Sequence, residues 1–380
     1  MGDYIIDEKP EDSYFAQQEE DVYWYWFLNI PSIGIGSCRR LLQLFGGPRK
    51  IFEKEEGELS KVLSAGKCHS LIASRDLQRC QRELMTLEKR GVRFISWDSP
   101  DYPDRLRHIY DPPLGLYLIG RLPDFTKPVL AVVGSRKATV YGLRQAYAIS
   151  RDLARRGVQI ISGLAAGIDS AGHRGALEGK GYTLGILGGG IDTMYPQENF
   201  NLYREMYEKG GVLSEYNVGI PNHRGLFPMR NRLISGLADG IFVVQAGRHS
   251  GSLITADLGL NQGKAIYALP GRVTDACSIG TNSLIAQGAI MVNRAEDILD
   301  DMNLLDHVYS PAQPSTFIKP LKEEEDMVLK FLKEDIPVSY DQLLEKCPME
   351  ERQLRHVLIE LELQGFLCQP DKNIFLKNRF

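Results

Sequence analysis

Val129-Leu130-Ala131-Val132-Val133-Gly134-Ser135-Arg136 is the stretch that decides the fold. Five apolar residues run on without polar alternation, the pattern of a strand buried on both faces in a parallel sheet. A glycine and a polar loop follow, then a helical period over residues 141–156. The unit repeats toward the C-terminus. Strands over 158–162, 183–187, 211–214, 241–244, 265–269 and 290–292 alternate with helices over 170–178, 201–208, 230–237, 252–262 and 281–287. This predicts an α/β fold with a parallel sheet covered by helices on both faces. Ligands of such folds bind outside the carboxyl ends of the strands.

The loops at those ends carry the chemistry. Gly134-Ser135-Arg136-Lys137 is not the G-x-G-x-x-G of a dinucleotide fold, and the second strand ends in Ser162-Gly163 where an acid would hold a ribose. Arg136 and Lys137 suit a phosphodiester; the alternative is an arginine that salt-bridges a neighbouring loop. Further on, Phe227-Pro228-Met229-Arg230-Asn231-Arg232 opens a helix. A helix start offers unpaired N–H groups and the positive end of the dipole. Guanidinium groups there make a phosphate site, and Phe227 offers a flat face for a base. The combination points to a nucleic-acid strand more than to a small metabolite. Gly188-Gly189-Gly190, Ser250-Gly251-Ser252 and Pro270-Gly271-Arg272 fit the rim of an anion site or ordinary turn chemistry. Asp169 reads as an N-cap. His173 reads as a structural hydrogen-bonding residue, because no nucleophile or carboxylate is placed beside it. Gly263-Lys264 is followed by alanine, so no Walker A loop is present, and no H-x-E or HExxH metal signature appears. Residue types thus give little support to enzymatic chemistry, and no catalytic residue, metal or cofactor is expected.

Around this core the 380 residues suit two or three domains, at 43% apolar and 25% charged. No apolar run approaches the ~20 residues of a membrane span. The first 20 residues lack the basic-then-apolar order of a signal peptide. The six cysteines are scattered without a CxxC pair, which suits a reducing, cytoplasmic setting. Charge is uneven. Residues 1–20 hold one Lys/Arg against seven Asp/Glu and read as a disordered acidic tail. Residues 21–126 and 127–300 carry net +3 and +4, while residues 321–380 carry −4. Residues 21–92 form a helical segment, broken at Asn29-Ile30-Pro31-Ser32-Ile33-Gly34-Ile35-Gly36. That break reads as a helix-hairpin-helix offering amides to phosphate, or as a plain glycine turn in a helical bundle. An α/β domain follows over 93–306, starting with a strand at 93–97. A proline-bearing linker spans 307–322. Residues 323–380 predict helices over 323–333, 339–346 and 350–364 and a hairpin turning near Asp371-Lys372-Asn373, a winged helix. Leu329, Phe331, Leu332, Leu343 and Leu344 are spaced to form its core. Glu350, Glu351, Glu360 and Glu362 fit phosphates poorly, so this unit reads as a partner-docking module rather than a duplex reader.

The ordered motifs resemble one family, DNA-processing protein A (DprA/Smf). They run from Tyr102-Pro103 and Asp111-Pro112-Pro113 through Gly134-Ser135-Arg136 and Ser162-Gly163 to Asp169 with His173. Leu187-Gly188-Gly189-Gly190, Tyr195-Pro196, Ser214-Glu215 and Phe227 to Arg232 follow. Ser250 to Ala256, Pro270-Gly271 and Gly280-Thr281-Asn282 complete the set. Together they cover roughly residues 95–295. The resemblance implies an extended Rossmann-like, mostly parallel sheet, with an N-terminal helical domain of SAM or helix-hairpin-helix type and a C-terminal winged helix. It implies a non-enzymatic recombination mediator that binds single-stranded DNA. Such a protein protects incoming strands in natural transformation, loads a RecA-type recombinase and forms homodimers. DNA contacts carry over to Gly134, Ser135, Arg136, Arg224, Phe227, Arg230, Asn231, Arg232, Gly251 and Ser252, beside Lys137 from the loop itself. Gln245 stands where the family often has glutamate. Two rivals remain. A Rossmann-type nucleotide phosphoribohydrolase would carry a glutamate after its P-G-G loop, whereas Pro270-Gly271 continues as Arg272-Val273-Thr274. A duplex-binding regulator would act through the winged helix.

Overall fold

The first helix, α1 (Pro10–Leu28), carries the aromatic run Trp24-Tyr25-Trp26-Phe27, all four buried. The computed structural model describes residues 10–304, 322–333, 336–363, 366–371 and 373–377. Residues 10–20, expected to belong to an acidic tail, are therefore helix. The buried aromatics anchor α1 at its C-terminal end. Residues 1–9 lie outside the described residues, as do residues 307–321 of the linker expected over 307–322. Five short helices follow, α2 (Ile35–Phe45), α3 (Pro48–Glu53), α4 (Glu56–Leu59), α5 (Ala65–Ala73) and α6 (Leu77–Lys89). The indoles are satisfied while buried: Trp24 donates to Asp98 at 2.9 Å and Trp26 to Ser74 Oγ at 2.9 Å.

The sheet begins with β1 (Val92–Ser96), the short α7 (Asp104–Arg107) and β2 (Gly115–Gly120). β2 was not legible as a strand because Asp111-Pro112-Pro113 and two glycines obscure its pattern. The alternating units then follow: β3 (Val129–Val133), α8 (Val140–Arg155), β4 (Gln159–Ser162), α9 (Ile168–Glu178), β5 (Thr183–Ile186), α10 (Phe200–Lys209) and β6 (Gly211–Ser214). The second run is α11 (Leu226–Leu237), β7 (Gly240–Val243), α12 (Gly251–Asn261), β8 (Ala265–Ala268), α13 (Ile279–Ala286), β9 (Ile290–Met291) and α14 (Ala295–Asp301).

The strands form one nine-stranded sheet in the order β1-β2-β6-β5-β4-β3-β7-β8-β9. It is parallel from β6 to β9, with β2 antiparallel to both β6 and β1. Every residue of β3 is buried, as its unbroken apolar run requires. From β3 the chain winds outward to β6, then returns to the other side of β3 as β7. The crevice between the carboxyl ends of β3 and β7 is thus the topological switch point, where open α/β sheets hold ligands. The N-terminal helices share an apolar core with the sheet's antiparallel side, where Trp24 and Phe27 cluster with Tyr117, Leu202 and Met206. Among the described residues no helix is long and apolar enough to cross a membrane.

The C-terminal unit comprises α15 (Glu323–Phe331), β10 (Val338–Ser339), α16 (Tyr340–Lys346), α17 (Glu351–Leu363), β11 (Leu367–Asp371) and β12 (Ile374–Lys377). Its sheet order is β10-β12-β11, a winged helix with one more strand than the sequence pattern shows, since two residues carry no periodicity. Ser339 caps α16 by accepting from the Gln342 amide at 3.3 Å. Val328, Leu329, Leu343, Leu354, Leu361 and Phe375 form a core of its own. Phe331 and Leu344, expected in that core, are partly exposed.

Candidate nucleic-acid interface

A cavity of ≈ 410 Å³ opens at the switch point. One side is Val133 to Arg136, leaving β3. One wall is the start of α9 with Ala165 and Asp169. Another is the start of α11 with Phe227, Pro228, Arg230 and Asn231. The third is Gly247 to Ser252, leading into α12. Three helix N-termini therefore converge on one space, each bringing the positive end of its dipole. Some of their first amides are already used, Leu226 by the His223 carbonyl and Ser252 by Ser250 Oγ.

Backbone bonds hold these loops together. Ser135 N–H donates to the Gln245 carbonyl at 2.7 Å, and Ile168 N–H donates to the Ser135 carbonyl at 3.3 Å. Gly167 has φ of 83° and packs against the Ser135 and Arg136 carbonyls, so only glycine suits it. Gly163 leaves room for the Arg230 guanidinium, which a side chain there would strike.

Arg230 is buried beneath the cavity. Its Nη1 donates to the Ile186 carbonyl at the end of β5, and its Nε donates to Asn231 Oδ1 at 3.2 Å. Burial pushes its pKa down to about 10; Asp169 opposes that shift and Arg136 adds to it. It stays a cation at neutral pH. Asp169 is buried too, and burial raises its carboxyl above the usual range, opposed by Arg230 and by backbone amides. Its carboxylate accepts from the Gly163 and Ala165 amides at 3.1 and 3.4 Å. The expected N-cap role is thereby corrected: Gly167 caps α9, while Asp169, in the first turn, reaches back to brace the preceding loop. His173 is buried with Nδ1 2.7 Å from Thr183 Oγ1, the structural role expected of it.

Arg136 is exposed at the mouth, its Cζ 4.8 Å from the centroid of the Phe227 ring. Phe227 is half-buried, and its ring lies 6.3 Å from that of Tyr195 at 36°. Gly134, Ser135, Arg136, Phe227, Arg230, Asn231, Gly251 and Ser252 are thus brought together. Lys137 and Arg224 are exposed but do not line the cavity. Arg232, expected at an exposed DNA-contacting position, is buried elsewhere. Its Nη2 meets both Glu215 oxygens at 2.7 and 2.6 Å, its Nε lies 3.5 Å from Asp111, and Arg39 pairs with the same Asp111. Two residues apart on a helix, Arg230 and Arg232 cannot share a face. The glycine run at 188–190 does not line the cavity either; Gly188 lies against Phe227. Gly271 is pinned to Asn282, donating to its Oδ1 at 3.1 Å. Arg248 and His249, missed from the sequence, are exposed on the third wall. Their signal was their place just after β7.

The sequence model of DNA recombination-mediator protein A matches residues 93–303, and that of the DprA winged helix domain matches residues 310–370. Protein Smf of Escherichia coli (strain K12) is 37% identical over 296 residues, 76% of this chain and 78% of that protein. DNA processing protein DprA of Bacillus subtilis (strain 168) is 39% identical over 222 residues, 58% of this chain and 75% of its own. Among solved structures, DNA processing protein A from Streptococcus pneumoniae superposes with a TM-score of 0.63 at 29% identity, covering 74% of this chain and 97% of that one. DNA processing protein A from Helicobacter pylori, described for its single-stranded DNA binding mode, superposes at 0.51 and 29% identity, covering 55% and 95%. The chain belongs to the DNA recombination-mediator protein A family.

Proposed function

We propose that this protein binds single-stranded DNA in the cavity between β3 and β7. It then acts, without catalysis, as a mediator that protects incoming strands and loads a RecA-type recombinase during natural transformation. The observation that carries this reading is the convergence of three helix starts on one space that also holds Arg136, Arg230 and Phe227. Arg136 at the mouth contacts a phosphodiester, and helix-start amides bind its oxygens. Arg230, which donates to the Ile186 carbonyl and to Asn231, supplies positive potential to the cavity wall. Phe227 presents a ring to a base. Arg224 and Lys137, exposed outside the cavity, attract the flanking strand. The Helicobacter pylori relative's single-stranded DNA binding supports the same ligand here. We assign residues 21–92 to a helical domain, 93–306 to the DNA-binding α/β domain and 323–380 to the winged helix, with a homodimer in the cytoplasm as the working form. The nucleotide-hydrolase alternative draws no support from the loop it needs, since Gly271 is tied to Asn282 and lies outside the cavity.

Gel-shift titration of single- and double-stranded oligonucleotides at two salt concentrations tests this. Single strands bind better, with a slope of about −0.7 in log affinity against log salt per phosphate neutralised. A flat salt response, or preference for duplex, overturns the proposal.

A further inference from the structure

Beside the cavity stands an aromatic residue that the phosphate site does not use. Tyr195 is 49% exposed, although a tyrosine ring carries a large apolar area. A lone exposed aromatic would mean little. This one is the third member of a row: the Arg136 guanidinium lies over Phe227, and Phe227 lies 6.3 Å from Tyr195 with the rings 36° apart. The row therefore leads from the mouth of the cavity out along the loop between β5 and α10.

That loop is held still. Tyr203, itself buried, donates its hydroxyl to the Tyr195 carbonyl at 3.0 Å, and the Tyr195 amide donates back to the same hydroxyl at 3.3 Å. Asn199, also buried, donates to the Leu164 carbonyl at 3.0 Å and to Ser170 Oγ at 2.8 Å, tying the loop to the segment that opens α9. Thr193 donates to the Ile220 carbonyl at 3.1 Å, and Asp192 accepts from the Gly219 amide at 2.9 Å. An exposed ring on a braced backbone loses little freedom when a partner stacks on it.

We infer that Tyr195 is a second base-stacking position, receiving the nucleobase that neighbours the one at Phe227, so that the bound strand runs from Arg136 across Phe227 toward the loop before α10. This rests on the single-strand reading of the cavity. It adds a direction to the path and a second nucleotide to the site. Because any base offers a face for stacking, the position adds affinity without reading sequence.

The test uses the full chain and a labelled oligothymidylate, with affinity read by fluorescence anisotropy for the parent, Tyr195→Ala, Tyr195→Phe and Arg136→Ala. Tyr195→Ala should bind roughly five- to fiftyfold more weakly, in the range of lost base–aromatic stacking, while Tyr195→Phe binds as the parent does. Abasic positions walked along the oligonucleotide should weaken the parent at one position where they leave Tyr195→Ala unchanged. Should Tyr195→Ala fold poorly, Tyr195→Trp serves instead, and its added emission should be quenched by the oligonucleotide. Parent-like binding by Tyr195→Ala, beside weak binding by Arg136→Ala, overturns the second stacking position and leaves the cavity reading standing. An unquenched Tyr195→Trp overturns it as well. Parent-like binding by Arg136→Ala overturns the cavity reading itself, and this inference with it.

Discussion

Arg136 and Arg232 both read as arginines beside a helix start, and their surroundings give them opposite roles. Arg136 is exposed, its guanidinium resting on Phe227. Replacing it with alanine removes a charge-assisted contact of ~1.5–3 kcal/mol, so single-strand affinity falls roughly tenfold to a hundredfold. The melting temperature should stay within a degree or two of the parent's, since a surface substitution costs about 0.5 kcal/mol or less. Arg232 is 6% exposed and pairs with Glu215, itself so buried that its carboxyl is pushed above the usual range against the pull of Arg232. Arg232→Ala strips the largely covered Glu215 of the guanidinium that meets both its oxygens and leaves only the more distant Arg39 opposite it, a loss of about 3–5 kcal/mol. Thermal melting of the two variants side by side checks both statements. The folded fraction of Arg232→Ala should bind DNA as the parent does, and a parent-like melting temperature for it contradicts the buried-pair assignment.

At the scale of elements, α9 and β5 are joined through a buried imidazole. His173 Nδ1 meets Thr183 Oγ1, whose hydroxyl donates to the Ile160 carbonyl at 2.9 Å. Burial, helped by Arg230, lowers the pKa of His173 from its ordinary 6.5 to about 3. The unfolded chain therefore takes up this proton before the folded one does. The contribution is complete above pH 6.5 and is lost as pH falls toward about 3. Melting temperature against pH should fall less steeply over that window for His173→Gln than for the parent. The raised carboxyl of Asp169 acts in the opposite sense, but it is present in both proteins, so the difference isolates the imidazole. Identical profiles rule out a neutral buried His173. The same braced junction carries Asp169 to the cavity, which links the stability of α9 to the shape of its wall.

For the whole molecule, the winged helix has its own apolar core around Val328, Leu343, Leu361 and Phe375. Residues 321–380 hold nine Lys/Arg against 13 Asp/Glu. A unit with that balance adds little attraction for phosphates. Removing residues 321–380 should leave a folded protein whose single-strand affinity stays within about threefold of the parent's, a change of ~0.7 kcal/mol. Anisotropy titration of the truncated chain is the measurement. A folded truncation that loses most of its binding makes the winged helix a principal DNA site and defeats the charge argument.

Unbroken apolar runs such as Val129 to Val133, in alternation with helical periods, were enough by themselves to establish the parallel sheet, and the order of the motifs was enough to establish the family. The first signal is local, written in residues next to one another, and the second is read from linear order, so neither needs the fold. Eight of the residues expected at the DNA site also proved to share one cavity, because each lies where a strand ends or a helix begins and the sheet gathers those ends on one side. The tertiary structure alone decided the rest. It turned Arg232 away from Arg230 toward Glu215, because a helix sends residues two apart in different directions and a buried carboxylate was waiting on one of them. It carried α1 back to Pro10, into a stretch whose acidic composition reads as a tail. It also placed Tyr195, in the loop between β5 and α10, beside Phe227 at the start of α11, a neighbourhood that nothing in either segment announces.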